Sequence, residues 1–182
     1  MIILVTGAAR SGKSEWAEHL ATKTGKVVTY IATSVIDPND HEWQARIAKH
    51  ILRRPTSWQS LEVPLDLAKT INEANSSSCL LIDSLGTWVA NLLEEEEANW
   101  EQIVADFLVT LQLATVDVIL VAEETGWGVV PAYKSGRVFR DRLGKLVRYI
   151  GTQANLVYLV TGGYALNLST LGQPLPSIEN QG

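Results

Sequence analysis

Cysteine is nearly absent from this chain of 182 residues: Cys79 is the only one. A lone cysteine inside an apolar run has no partner for an internal disulfide, and its expected role is a buried structural thiol. Basic residues are the minority, 15 Lys and Arg against 20 Asp and Glu, for a net charge of −5 and a pI near 5.2. That excludes a surface built to coat nucleic acid, so any cationic chemistry has to be local. No apolar run approaches the roughly 20 residues of a membrane-spanning helix. Met1 leads directly into a strand pattern, with no signal-peptide pattern before it. Internal repeats and low-complexity segments are missing as well. What remains is 46% hydrophobic residues with a mean hydropathy of +0.07. That is enough for one sizeable core, and the expectation is a single-domain cytoplasmic enzyme.

What the chain does have begins at its seventh residue. The apolar run Ile2-Ile3-Leu4-Val5 leads into Gly7-Ala8-Ala9-Arg10-Ser11-Gly12-Lys13-Ser14, and a helical pattern follows. This matches the phosphate-binding loop G-x-x-x-x-G-K-[ST]. Gly7 and Gly12 permit sharp backbone conformations that a side chain would forbid. The loop N–H groups then face phosphate oxygens, and the next helix adds its positive end. Lys13 is placed to reach the β- and γ-phosphates, and the Ser14 hydroxyl to bind Mg²⁺.

Downstream, strand and helix patterns alternate. A helix is expected over 14–24, ended by Gly25, and a strand over 26–32. Thr33 and Ser34 follow at its C-terminal end, where open α/β sheets place ligands. Asp37-Pro38-Asn39-Asp40 starts a helix over about 41–53. Arg46, Lys49, His50 and Arg53 share one face of it, spaced i, i+3, i+4, i+7. Three cations beside His50 would attract a polyphosphate and lower the imidazole pKa, leaving a nitrogen free as a nucleophile. A solvated basic face is the alternative reading.

Residues 57–63 read as a short strand, and Pro64 opens a helix through Ile71. Cys79-Leu80-Leu81-Ile82-Asp83 is a buried strand ending in an acid, a Walker-B-like pattern whose Asp83 would hold Mg²⁺ mostly through water. Helices over 84–93 and up to 113 flank the Glu94–Glu97 run, and a core strand covers 116–121. The stretch Glu123-Glu124-Thr125-Gly126-Trp127-Gly128 has the look of a substrate loop. A helix over 134–151 carries Arg137, Arg140, Arg142, Lys145 and Arg148. A last strand spans 156–161, and 164–182 reads as a loose tail after a catalytic domain over 1–163. The expected fold is α/β: one P-loop domain with a mainly parallel central sheet and helices on both faces.

These motifs together resemble the bifunctional adenosylcobinamide kinase / adenosylcobinamide-phosphate guanylyltransferase family. The matching stretches are ILVTGAARSGKS (3–14), YIATS (30–34), ARIAKHILRRPTSW (45–58), LLIDSLGTWVANLL (80–93), EETGWGVVP (123–131), FRDRLGKL (139–146) and VYLVTGG (157–163). The phosphate loop is shared by very many NTPases; R-I-x-x-H-x-x-x-R-P and E-x-G-x-G-x-V-P are far more specific.

The resemblance implies a RecA-like fold, a homotrimer and two reactions of cobalamin biosynthesis. ATP or GTP phosphorylates adenosylcobinamide; GTP then guanylylates His50, and GMP passes to the cobinamide phosphate. It also implies nucleotide contacts at 7–14, Thr33, Ser34, Ile51, Leu52, Arg53, Glu62 and Asp83, with the Glu62 carboxylate able to accept from guanine N1 and N2. The chain departs from the family's usual pattern at Ala8, at Glu123 (often Asn) and at Val147-Arg148 (often Asn-Gln). Two other readings stay open: a plain small-molecule P-loop kinase, and a nucleotide-dependent binding module without metabolite chemistry.

Overall fold

The structure is a computed structural model that describes residues 1–35 and 54–175. The helix expected over 41–53 therefore lies outside the described residues, and with it His50, Ile51, Leu52 and Arg53.

Seven strands form one sheet: β1 (Ile2–Gly7), β2 (Val27–Ala32), β3 (Gln59–Glu62), β4 (Ser78–Asp83), β5 (Asp117–Glu123), β6 (Leu156–Thr161) and β7 (Tyr164–Asn167). Their spatial order is β3-β2-β4-β5-β1-β6-β7. All pairings are parallel except β6 with β7. Six helices are described: α1 (Lys13–Lys23), α2 (Leu67–Glu73), α3 (Leu85–Asn91), α4 (Glu97–Leu113), α5 (Lys134–Gln153) and α6 (Leu168–Leu171). This is the expected α/β P-loop architecture.

The central strands are apolar throughout because both faces are covered. Ile2 and Leu4 of β1 point to one face with Leu80, Ile82 and Leu120, and there meet Leu67, Trp88, Phe107 and Leu143 from α2 to α5. Ile3 and Val5 point to the other with Leu81, Ile119 and Val121, against Ala17 and Ala21 of α1. Cys79 is fully buried on that second face, and burial pushes its thiol pKa up to about 11. That is the inert structural thiol the composition implied.

Two expectations change. The helix after Pro64 begins only at Leu67, since residues 64–66 make a turn and the Leu67 N–H bonds back to the Leu65 carbonyl at 2.9 Å. The supposed loose tail is ordered at its start. Gly162 (φ 57°) and Gly163 (φ 82°) form a two-residue turn, and β7 pairs back on β6 in the register Thr161↔Tyr164. Positive φ at both turn residues is what such hairpins require. Tyr164 and Leu166 stay exposed on this edge strand, so its apolar alternation is weak.

Candidate active site

Parallel strands bring their C-terminal tips to one edge, and the site is built there. Along that edge stand Gly7 (β1), Glu123 (β5), Asp83 (β4), Ala32 followed by Thr33 and Ser34 (β2), and Glu62 (β3). Four inter-strand steps separate β1 from β3, roughly 19 Å at the usual strand spacing. An extended nucleoside triphosphate is of this length.

The phosphate loop has the backbone its glycines anticipate. A Cβ on Gly7 would lie 2.5 Å from Ser11 Oγ and 2.6 Å from the Val160 carbonyl oxygen, so only glycine fits between the loop and β6. Gly12 sits at φ 93° and hands over to α1, where the Trp16 N–H bonds its carbonyl at 2.9 Å. Arg10 is the one non-glycine residue with positive φ among those described (60°). Ser11 Oγ is buried and has no hydrogen-bond partner among the described residues. Lys13 is only 8% exposed. Its Nζ donates to the Ala8 carbonyl at 3.4 Å and lies 3.9 Å from Glu123 Oε1. Ser14 follows it in the first turn of α1, half-buried, while Ala8, Ala9 and Arg10 are exposed.

Asp83 stands at the tip of β4, two strands from β1, and its Oδ2 accepts a hydrogen bond from the Tyr30 hydroxyl at 3.0 Å. Burial and the Asp83 charge both push the Tyr30 pKa far up, so the phenol stays a donor. The Arg54 guanidinium covers the Tyr30 ring, 3.2 Å from its centroid. Arg54 is the first described residue after the segment that contains His50.

Thr33 is completely buried and acts as a clamp. Its hydroxyl donates to the Ser84 carbonyl at 2.7 Å and accepts from the Ser84 N–H at 3.0 Å, while its own carbonyl accepts from Asn91 Nδ2 at 2.7 Å. These bonds join the tips of β2 and β4. Ser34 is half-buried beside it, and Glu62 is exposed at the end of the edge strand. The basic helix α5 contributes less to this edge than its composition suggests. Arg142 is buried and donates to the carbonyls of Leu92, Leu93 and Glu95, and Arg137 donates to those of Pro131 and Ala132.

Two site residues were not singled out by sequence reasoning, Tyr30 and Gly86, and a third, Glu123, was read only as part of a substrate loop. Glu123 Oε2 accepts the Gly86 N–H at 3.0 Å, and a Cβ on Gly86 would overlap that carboxylate. Burial raises the Glu123 pKa above the ordinary carboxylate value, against the opposing pull of Lys13. Its signal in the sequence was positional: it ends a core strand at the edge where ligands bind. A cavity of about 770 Å³ opens from this point along α5, lined among others by Glu123, Glu124, Trp127, Val147 and Arg148.

A family model described as cobinamide kinase / cobinamide phosphate guanyltransferase matches residues 3–168. The bifunctional adenosylcobalamin biosynthesis protein CobP of Pseudomonas aeruginosa is 40% identical over 176 residues, covering 94% of this chain and 98% of its own. The bifunctional adenosylcobalamin biosynthesis protein CobU of Escherichia coli K12 is 35% identical over 183 residues (92% and 99%), and its Salmonella typhimurium counterpart is 35% identical over 184. Among solved structures, the flagellar accessory protein FlaH of Methanocaldococcus jannaschii aligns at TM-score 0.51 with 18% identity, over 96% of this chain and 81% of that one. PH0250 of Pyrococcus horikoshii aligns at 0.58 with 6% identity, over 98% and 93%. At such identities these two speak for the fold alone. With the family match spanning the phosphate loop, the β4 and β5 tips and the β6–β7 hairpin, the chain belongs to the cobinamide kinase / cobinamide phosphate guanyltransferase family.

Proposed function

We propose that one nucleotide site serves both activities of this family on adenosylcobinamide, with His50 as the residue that separates them. In the kinase reaction, the aminopropanol oxygen of adenosylcobinamide attacks the γ-phosphorus. The bond from that phosphorus to the bridging oxygen breaks, and the nucleoside diphosphate leaves. In the transferase reaction, a His50 nitrogen attacks the α-phosphorus of GTP and pyrophosphate leaves. A phosphate oxygen of the cobinamide phosphate then displaces His50, giving adenosylcobinamide-GDP. The observation that carries this reading is the family match over 3–168 combined with an intact phosphate loop whose lysine is held inward.

The loop 7–14 cradles the phosphates, and Lys13 carries the charge opposite the β- and γ-oxygens. Ser34, Ile51, Leu52, Arg53 and Glu62 are assigned to the rest of the nucleotide; Thr33 serves it by holding Ser34 in place. Ser14 and Asp83 offer a hydroxyl and a carboxylate, hard oxygen donors that suit a Mg²⁺ ion keeping water and phosphate ligands. Such an ion would neutralise phosphate charge. The cavity beside Glu123 is the place for a bulky corrinoid, since it adjoins the phosphate end of the site. Exposed Trp127, Val129, Val130 and Tyr133 support assembly, which we take to be a homotrimer. The acidic net charge supports a protein that does not bind nucleic acid, and no described helix is long and apolar enough to cross a membrane. We place the enzyme in the cytoplasm.

Supplying the protein with adenosylcobinamide, GTP and Mg²⁺ tests the division of labour. Wild type yields the GDP-linked product, whereas His50→Ala stops at the phosphate. Unchanged GDP-linked product from His50→Ala would make another group the nucleophile; no phosphorylation by wild type would reject the kinase reading.

A further inference from the structure

The two reactions leave one half-buried acid at the centre of the site without a role. Glu123 ends β5, the strand between the phosphate-loop strand and the strand of Asp83. Its position is fixed by backbone. It pairs in register with Gly7, the next residue's N–H bonds the Gly7 carbonyl at 3.0 Å, and its Oε2 is held by the Gly86 N–H at 3.0 Å. A Cβ on Gly86 would overlap the carboxylate where it now stands, so the glycine leaves room for it. Around the carboxylate stand Lys13 from α1, Asp83 from β4 and the Ser84 hydroxyl at the start of α3.

The distance to Lys13 matters. At 3.9 Å, Oε1 neutralises the ammonium but is too far to hydrogen-bond it. A phosphate oxygen on Lys13 would make that hydrogen bond and would also bring like charge against the carboxylate. We propose that Glu123 is a resident competitor for the phosphate site: it holds the charge of Lys13 in the empty protein, must be displaced by a triphosphate, and so sets triphosphate affinity and release. This rests on reading Lys13 as the lysine of the β- and γ-phosphates. Monophosphates, which do not reach Lys13, escape the competition.

The test is equilibrium binding of GTP and GMP to the His50→Ala protein, which cannot be guanylylated there, and to the same protein carrying Glu123→Gln or Glu123→Ala. Two like charges about 4 Å apart change affinity by about 6-fold when fully screened by water and by up to about 1,000-fold near a protein surface, so about 10-fold is the gain expected for a half-exposed carboxylate. GTP should therefore bind about 10-fold more tightly to both Glu123 variants, and GMP less than about 2-fold so. The gain should shrink in 1 M salt, where the screening length falls to about 3 Å. GTP affinity that is unchanged or weaker in both variants, with thermal unfolding showing them folded, overturns the inference alone. No GTP binding to any of the proteins overturns the inference and the functional reading together.

Discussion

Lys13, Glu123 and Gly86 form a contact set in which each residue explains the next. The lysine is nearly buried and carries its charge into the site, the carboxylate answers it, and the missing side chain at position 86 makes room for the carboxylate. Gly86 lies in the first turn of α3, where alanine would ordinarily stabilise a helix relative to glycine by up to about 1 kcal/mol. Here the added methyl meets Glu123 instead. Gly86→Ala is expected to cost about 1–3 kcal/mol in wild type. In a Glu123→Ala background it should cost little or become stabilising. Urea unfolding of the four proteins gives the coupling directly; equal effects in both backgrounds would mean that the carboxylate does not occupy that space. The glycine pattern of the phosphate loop was legible from the sequence because its spacing is a local rule. Gly86 was not, because its reason stands 37 residues away.

At the scale of elements, strand tips do the positioning and the starts of strands tie the sheet together. Asp117 opens β5 and collects two cations, the N-terminal ammonium of Met1 at 3.0 Å and Lys26, just before β2, at 2.7 Å. Burial alone would raise the Asp117 pKa; Lys26 and the N-terminal ammonium outweigh it and hold the carboxyl below the ordinary value. A carboxyl depressed in the folded state adds stability above its unfolded pKa, near 3.9, and loses it as pH falls through the folded value. Asp117→Asn should therefore destabilise the protein at pH 6–7 in urea melts. The gap to wild type should close at the most acid pH at which both still fold. A gap that persists undiminished there would assign it to packing. The alternation of strands and helices was readable because the strands are apolar runs bounded by turns. The exposed edge strand β7 was not: only its Gly-Gly turn marked it.

On the scale of the molecule, the sheet order turns motifs distant in sequence into one row. Residues 7–14, 33–34, 62, 83 and 123 share the C-terminal edge of the sheet, with the β5 tip standing between the phosphate loop and Asp83. The two nucleotide signatures and their common edge could be inferred from strand–loop–helix punctuation. The strand order could not, since crossovers are set by packing of whole layers. Nor could the consequence for Glu123, which looked like part of a substrate loop and sits against the phosphate-loop lysine. In the proposed function the row's second activity depends on His50, and the account stands on that residue. Intact-mass and peptide mass spectrometry after incubation with GTP and Mg²⁺ is the most direct test. The account predicts one added GMP per chain, acid-labile, on His50, and none on His50→Ala. A GMP adduct on another residue, or on both proteins alike, would contradict it.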